Sequence, residues 1–208
     1  MPEPLEPHDL HDRALGAYLG FAIGDALGAT VEFMRPREIA VQYGVHRDII
    51  GGGWLKLASG QVTDDTTMSL ALGTALLQGG RAALLRHAQG DDTLVRSIGD
   101  AYVQWFKGKP VDCGNTCRRG ILRYLHEGTL EGSFNPGDGG NGALMRNLPA
   151  VLATWGMTPP LSACPSPRPD LPTTTRCLTP PRWAWAGCWA CYWRGRTLLR
   201  RGCGSRSG

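Results

Sequence analysis

The chain has 208 residues, enough for one sizeable hydrophobic core or two small ones, and carries 22 Lys and Arg against 18 Asp and Glu. The net charge of +4 does not argue for a nucleic-acid partner, because residues 160 to 208 hold eight Arg and one acid, Asp170, which leaves residues 1 to 159 mildly acidic. A secretory leader and a long apolar run are both missing from the sequence, so a soluble, cytoplasmic protein with reduced thiols is expected.

In chain order, helices are expected at Leu10 to Leu27, Pro36 to Tyr43, Thr66 to Leu77, Asp92 to Lys107, Gly114 to His126 and Gly142 to Thr154. The first carries Leu15, Leu19, Ile23 and Leu27 at fourfold spacing among Ala and Gly, which predicts burial on more than one face. Alternating β-branched runs long enough for a sheet do not occur, so the expected fold is all-α.

Polar residues stand out against this apolar background. Asp25 lies among Ala and Gly, where an acid must be paired, capped or functional, and a hydrogen-bonded structural role is favoured. Glu32, where the chain turns after the first helix, is better placed to reach a ligand. Gly51-Gly52-Gly53-Trp54 is a flexible loop without the lysine and hydroxyl of a phosphate-binding loop, so an ordinary loop is expected. Thr63-Asp64-Asp65-Thr66 opens the third helix and admits two readings. It is either an N-cap or half of a site for a hard cation such as Mg2+ or Mn2+, which prefers carboxylate and hydroxyl oxygens. Asp112-Cys113-Gly114-Asn115 precedes a helix whose N-terminus suits an anion or polar substrate, and Cys113 and Cys117 read as buried thiols. Gly137-Asp138-Gly139-Gly140-Asn141-Gly142 is a glycine loop of the kind that exposes N–H groups to a diphosphate or ribose.

From about residue 161 the composition changes. Residues 160 to 208 lack Lys, Glu, Ile, Phe and Val, yet hold five of the seven Cys and four of the seven Trp. Cys188 and Cys191 form a CxxC with no second pair at metal spacing. Reread from the third base of each codon, Thr173 onward is compatible with Asn-His-Pro-Leu-Ser-Asp-Ala-Ala, an ordinary helical sequence. A frameshifted, disordered tail over 161–208 is therefore expected, and resequencing the gene tests it. A tail binding nucleic acid through its Arg and Trp residues is the weakest reading.

Taken together, GDALGATVEF, GGGW, GQVTDDTTMSLALG, PVDCGNTCRRG and GNGALMRNLPAVLAT closely resemble the ADP-ribosylglycohydrolase family, over a single domain of roughly residues 8 to 157. The resemblance implies an all-α fold with two Mg2+ or Mn2+ ions that removes ADP-ribose from arginine by N-glycosidic hydrolysis. It implies Thr63, Asp64 and Asp65 as metal ligands, and Glu32 or Asp112 as the catalytic carboxylate. Gly114, Asn115, Gly139, Asn141 and Gly142 would contact substrate. The implied protein substrate is the nitrogenase iron protein. A PII-type signalling protein and an ammonium transporter are the implied regulatory partners, the latter giving a route to membrane association. The family's second metal segment, Asp-x-Asp-Thr, has no counterpart after Asp138. An inactive ADP-ribose-binding fragment is therefore the alternative.

Overall fold

The computed structural model describes residues 7–130 and 141–155. Over these residues the chain is helical, with α1 at Pro7–Gly28, α2 at Pro36–Tyr43, α3 at Asp64–Ala88, α4 at Thr93–Lys107, α5 at Asn115–Glu127 and α6 at Leu148–Ala153. The extended pairing among the described residues is one isolated antiparallel bridge, Gly52 to Leu57, which closes the glycine loop on itself. The tail expected to be disordered, and Gly139 with it, lies outside the described residues.

Among the described residues helix α3 is central, packing against α4, α6 and α1, while α5 packs on α4. Its apolar positions feed two clusters. Met68 meets Val103 of α4 and Cys117 and Ile121 of α5. From one turn further on, Leu72, Leu76 and Ala83 meet Leu94. The Trp105 indole adds a directional contact by donating to Thr67 Oγ1 at 2.9 Å, so its N–H is satisfied where the ring is largely buried.

Three expectations change. Just past the predicted end at Leu77 the helix breaks at Gly80, and a second helical segment that the sequence reading does not include carries α3 on to Ala88. Gly80 takes φ 62°, ψ −176°, and helical geometry resumes beyond it. The last helix starts later than Gly142, since 142–146 form turns and Pro149 enters the first helical turn, where its missing N–H costs nothing. Helix α1 is the largest departure. Ala26 is its one buried hydrophobic residue, and Leu15, Leu19 and Ile23 stand about half-exposed. Among the described residues α3 alone packs substantially on α1. One such contact is local: a Cβ added at Gly73 would stand 2.9 Å from the Tyr18 hydroxyl.

Candidate active site

The site is assembled where the start of α3 meets the end of α1 and the start of α5. Thr63 is the α3 N-cap in extended geometry, but its own capping contact is long, Asp65 N–H to Thr63 Oγ1 at 3.4 Å. The stronger cap comes from α1. Asp25 Oδ2 accepts from Thr63 N at 3.0 Å, Thr66 N at 3.1 Å and Thr66 Oγ1 at 2.6 Å, while Oδ1 accepts from Thr63 Oγ1 at 2.7 Å. A carboxylate on the positive end of α3, with both oxygens in use, is the hydrogen-bonded role expected for Asp25. It also relieves Asp64 and Asp65 of capping, so both remain available to a ligand.

Asp64 is buried, and its Oδ2 accepts from Gly114 N at 3.3 Å, which ties the start of α5 to the start of α3. Burial raises its pKa, with the Asp112 charge as the next cause. Asp65 is half-buried and pushed up to about 6, first by burial and then by the charges of Asp64, Asp25 and Glu32. Asp112 anchors its own loop by accepting from Cys113 N at 2.7 Å. Burial, with Cys117 and Asp64 nearby, lifts the Cys113 thiol to about 11, so at neutral pH it stays a thiol. The fold thus gathers carboxylates from three separate segments into one electronegative region.

Glu32 lies at the outer edge of this region, exposed in the turn after α1, where Oε2 accepts from Trp54 Nε1 at 2.9 Å. The glycines of the Trp54 loop answer to steric demand. Gly51 and Gly53 have φ of 70° and 66°, and a Cβ on either would come within 2.5 Å of a carbonyl oxygen, that of Leu57 or Ala29. The loop is fastened by Thr30 Oγ1 donating to Gly51 O at 3.0 Å. This is the ordinary loop that the sequence suggests, with its tryptophan put to use.

Gly114 caps α5 and Asn115 begins it, both exposed beside Asp64. Asn141 turns the chain through its carbonyl, which accepts from Leu144 N at 2.7 Å and Met145 N at 3.0 Å. A Cβ on Gly142 would stand 2.7 Å from Cys117 Sγ in the first turn of α5, so this loop reaches the same helix end. Arg146 pins it down, with the guanidinium 5.0 Å from the Tyr102 ring centre and Nη1 at 3.1 Å from Cys117 Sγ. Sequence reasoning did not assign Trp54 or Phe33 to the site. The signal available was an aromatic closing the glycine loop and another following Glu32.

As metal ligands, Thr63, Asp64 and Asp65 offer the right chemistry, hard oxygens in a region where carboxylate charges repel one another. The Thr63 hydroxyl spends its proton on Asp25 and accepts the long contact from Asp65 N–H, which leaves one lone pair of its oxygen to accept. Among the described residues, however, no group of three or more His, Cys, Asp or Glu is placed to close round an ion. The residues fit one side of a hard-cation site.

A model of the ADP-ribosylglycohydrolase family matches residues 6–163, spanning the described helices and the acidic region. The chain belongs to this family. It is 58% identical over 147 residues to the ADP-ribosyl-dinitrogen reductase glycohydrolase of Rhodospirillum rubrum, a match covering 71% of this chain and 46% of that protein. It is also 35% identical to the ADP-ribosylarginine hydrolase Tri1 of Pseudomonas putida, over 71% of this chain and 38% of the relative. A solved ADP-ribosylglycohydrolase-related protein complex superposes with a TM-score of 0.59 at 32% identity, covering 93% of this chain and 58% of that one. The chain thus spans less than half the length of these two curated relatives. Family membership accords with the all-α architecture expected from the helical spacing. No helix among the described residues is long and apolar enough to cross a membrane.

Proposed function

We propose that this chain carries the substrate-facing, metal-facing part of an ADP-ribosylarginine hydrolase, cytoplasmic and acting on an ADP-ribosylated protein such as the nitrogenase iron protein. One observation carries the reading. Asp64 and Asp65, freed from capping by Asp25, share a region with Glu32 and Asp112, and burial together with the charge of neighbouring carboxylates raises the pKa of both. Similarity to the Rhodospirillum and Pseudomonas hydrolases supports the choice of reaction and of arginine as the modified residue. Similarity to the Rhodospirillum hydrolase also supports the nitrogenase iron protein as target. The reading extends to a PII-type signalling protein and an ammonium transporter as regulatory partners.

Thr63, Asp64 and Asp65 would hold Mg2+ or Mn2+. When bound, such ions polarise oxygens and lower the pKa of water. The remaining work falls to side chains. Glu32 or Asp112 takes the proton of a water whose oxygen bonds to the anomeric carbon. The bond from that carbon to the guanidine nitrogen breaks, and the departing nitrogen receives a proton. The N–H groups at the start of α5, with Gly114 and Asn115, face polar substrate groups, and Asn141 and Gly142 approach from the other side. Gly139, outside the described residues, belongs to the same proposed loop.

The test is release of ADP-ribose from an ADP-ribosylated arginine peptide, followed by chromatography with Mn2+, with Mg2+ and with chelator. Metal-dependent release that is lost in Asp64→Asn and Asp65→Asn is expected. A second reading, an ADP-ribose-binding fragment without turnover, is favoured by the incomplete ligand set. Binding of ADP-ribose with no release under any metal would select it. Neither release nor binding would sink both.

A further inference from the structure

We propose that the cleft between the turn after α1, helix α2 and the glycine loop is a guanidinium subsite, in which Glu32, Phe33 and Trp54 hold the arginine side of the scissile bond. The inference rests on the hydrolase reading, names which end of the substrate meets which residues, and leaves the water proton to Asp112, since Glu32 is engaged by the guanidinium. The cleft has a volume of about 400 Å3 and is lined by Glu32, Phe33, Gln42, Tyr43 and Trp54 among others.

Two large aromatic side chains are held out of the core here. Phe33 is 79% exposed and Trp54 52% exposed, yet they pack on each other edge to face with ring centres 5.4 Å apart. Phe33 also sits in the left-handed backbone region at φ 63°, which bulky residues seldom adopt. A disfavoured conformation that holds an exposed ring in a cleft suits ligand contact better than packing. The Trp54 indole then donates to Oε2 of Glu32 at 2.9 Å, holding a carboxylate beside the ring pair.

A carboxylate beside aromatic rings matches one chemistry well. Guanidinium is planar and permanently cationic, stacks on aromatic faces and donates in parallel to carboxylate oxygens. A lysine ammonium, a compact and strongly hydrated point charge, makes poorer use of the same surface. A phosphate would be repelled by Glu32. The cleft also adjoins the acidic region, since the Glu32 charge is felt at both Asp64 and Asp65. An arginine held here would present its nitrogen toward the place where the anomeric carbon is to be hydrolysed.

Calorimetric titration with agmatine, a guanidinium probe, and separately with ADP-ribose tests this in the wild-type chain and in Glu32→Gln, Phe33→Leu and Trp54→Phe. Agmatine affinity should fall about tenfold in Glu32→Gln and about threefold in each aromatic variant, with ADP-ribose affinity changing by less than about twofold in the two aromatic variants. Cadaverine, with an ammonium in place of the guanidinium, should bind the wild type more weakly than agmatine does. Thermal midpoints close to wild type would verify folding, as the substituted side chains are exposed. Undetectable agmatine binding to the wild type, or equal binding by all variants, would overturn the subsite. Parallel loss of ADP-ribose affinity would also overturn it, by giving the rings to the adenine. If ADP-ribose fails to bind while the agmatine pattern holds, the hydrolase reading falls and the guanidinium site stands.

Discussion

Asp65 and Asp25 are both acids at the start of α3, and their environments give them opposite roles. Asp25 has both oxygens occupied by four donors from Thr63 and Thr66. Replacing it with Asn removes the charge and turns one acceptor into a donor facing donors, which should cost about 2–4 kcal/mol in chemical denaturation. Asp65 lacks such compensation, and its pKa rises from 3.8 to about 6. The folded state therefore holds that proton more tightly than the unfolded state, and stability falls as pH rises across this window. Because the side chain is only half-buried, solvent screening reduces the effect to about 1–2 kcal/mol. Thermal melts of the metal-free chain should show a midpoint decline between pH 4 and pH 7 that Asp65→Asn flattens. Mg2+ or Mn2+ should raise the midpoint at pH 7.5 and leave it unchanged at pH 4.5, since the ions bind deprotonated oxygens. An Asp65→Asn profile superimposable on wild type would remove Asp65 from this account.

At the scale of elements, close approach between helices rests on a few glycines. A Cβ on Gly99 of α4 would lie 2.6 Å from the Tyr124 ring of α5, whose hydroxyl is 2.9 Å from Asp100 Oδ1 and 3.0 Å from Arg96 O. Gly99→Ala should cost about 1–3 kcal/mol by forcing that ring aside, even though alanine is the better helix former. A denaturation midpoint at or above wild type would show that the helices can separate freely. The same elements mark how far the sequence was readable. All six helices follow from local spacing and end signals, whereas Asp64 beside Gly114 follows only from the resemblance of their two motifs to one family. What was missed is non-local or conditional. The cap on α3 is supplied from 38 residues upstream. Gly80 bends a helix that its neighbours then resume, and Pro149 moves the start of α6 past the turn at 142–146. Trp54 joins Glu32 across 22 residues of chain, a pairing that neither segment announces alone.

At the scale of the whole molecule, α1 is the unbalanced part. Leu15, Leu19 and Ile23 repeat along one side at 50–54% exposure, and next to them a Cβ on Gly16, Gly20 or Gly24 would meet nothing within 4 Å. A ridge of large residues beside a row of glycines is a surface on which another helix can lie closely. Leu15→Ser with Leu19→Ser is therefore expected to move the thermal midpoint little, as both side chains are about half-exposed. A large fall in the midpoint of the double variant would show that these side chains are covered in the folded chain. Asp25 projects from this same helix, and that has a consequence for anyone borrowing the acidic motif. The stretch from Thr63 to Thr66 is not portable. Grafted onto another helix with only its own neighbours, it would draw Asp64 or Asp65 into the task that Asp25 performs from afar. A transplant that keeps both acids idle must bring a carboxylate from a second segment with it.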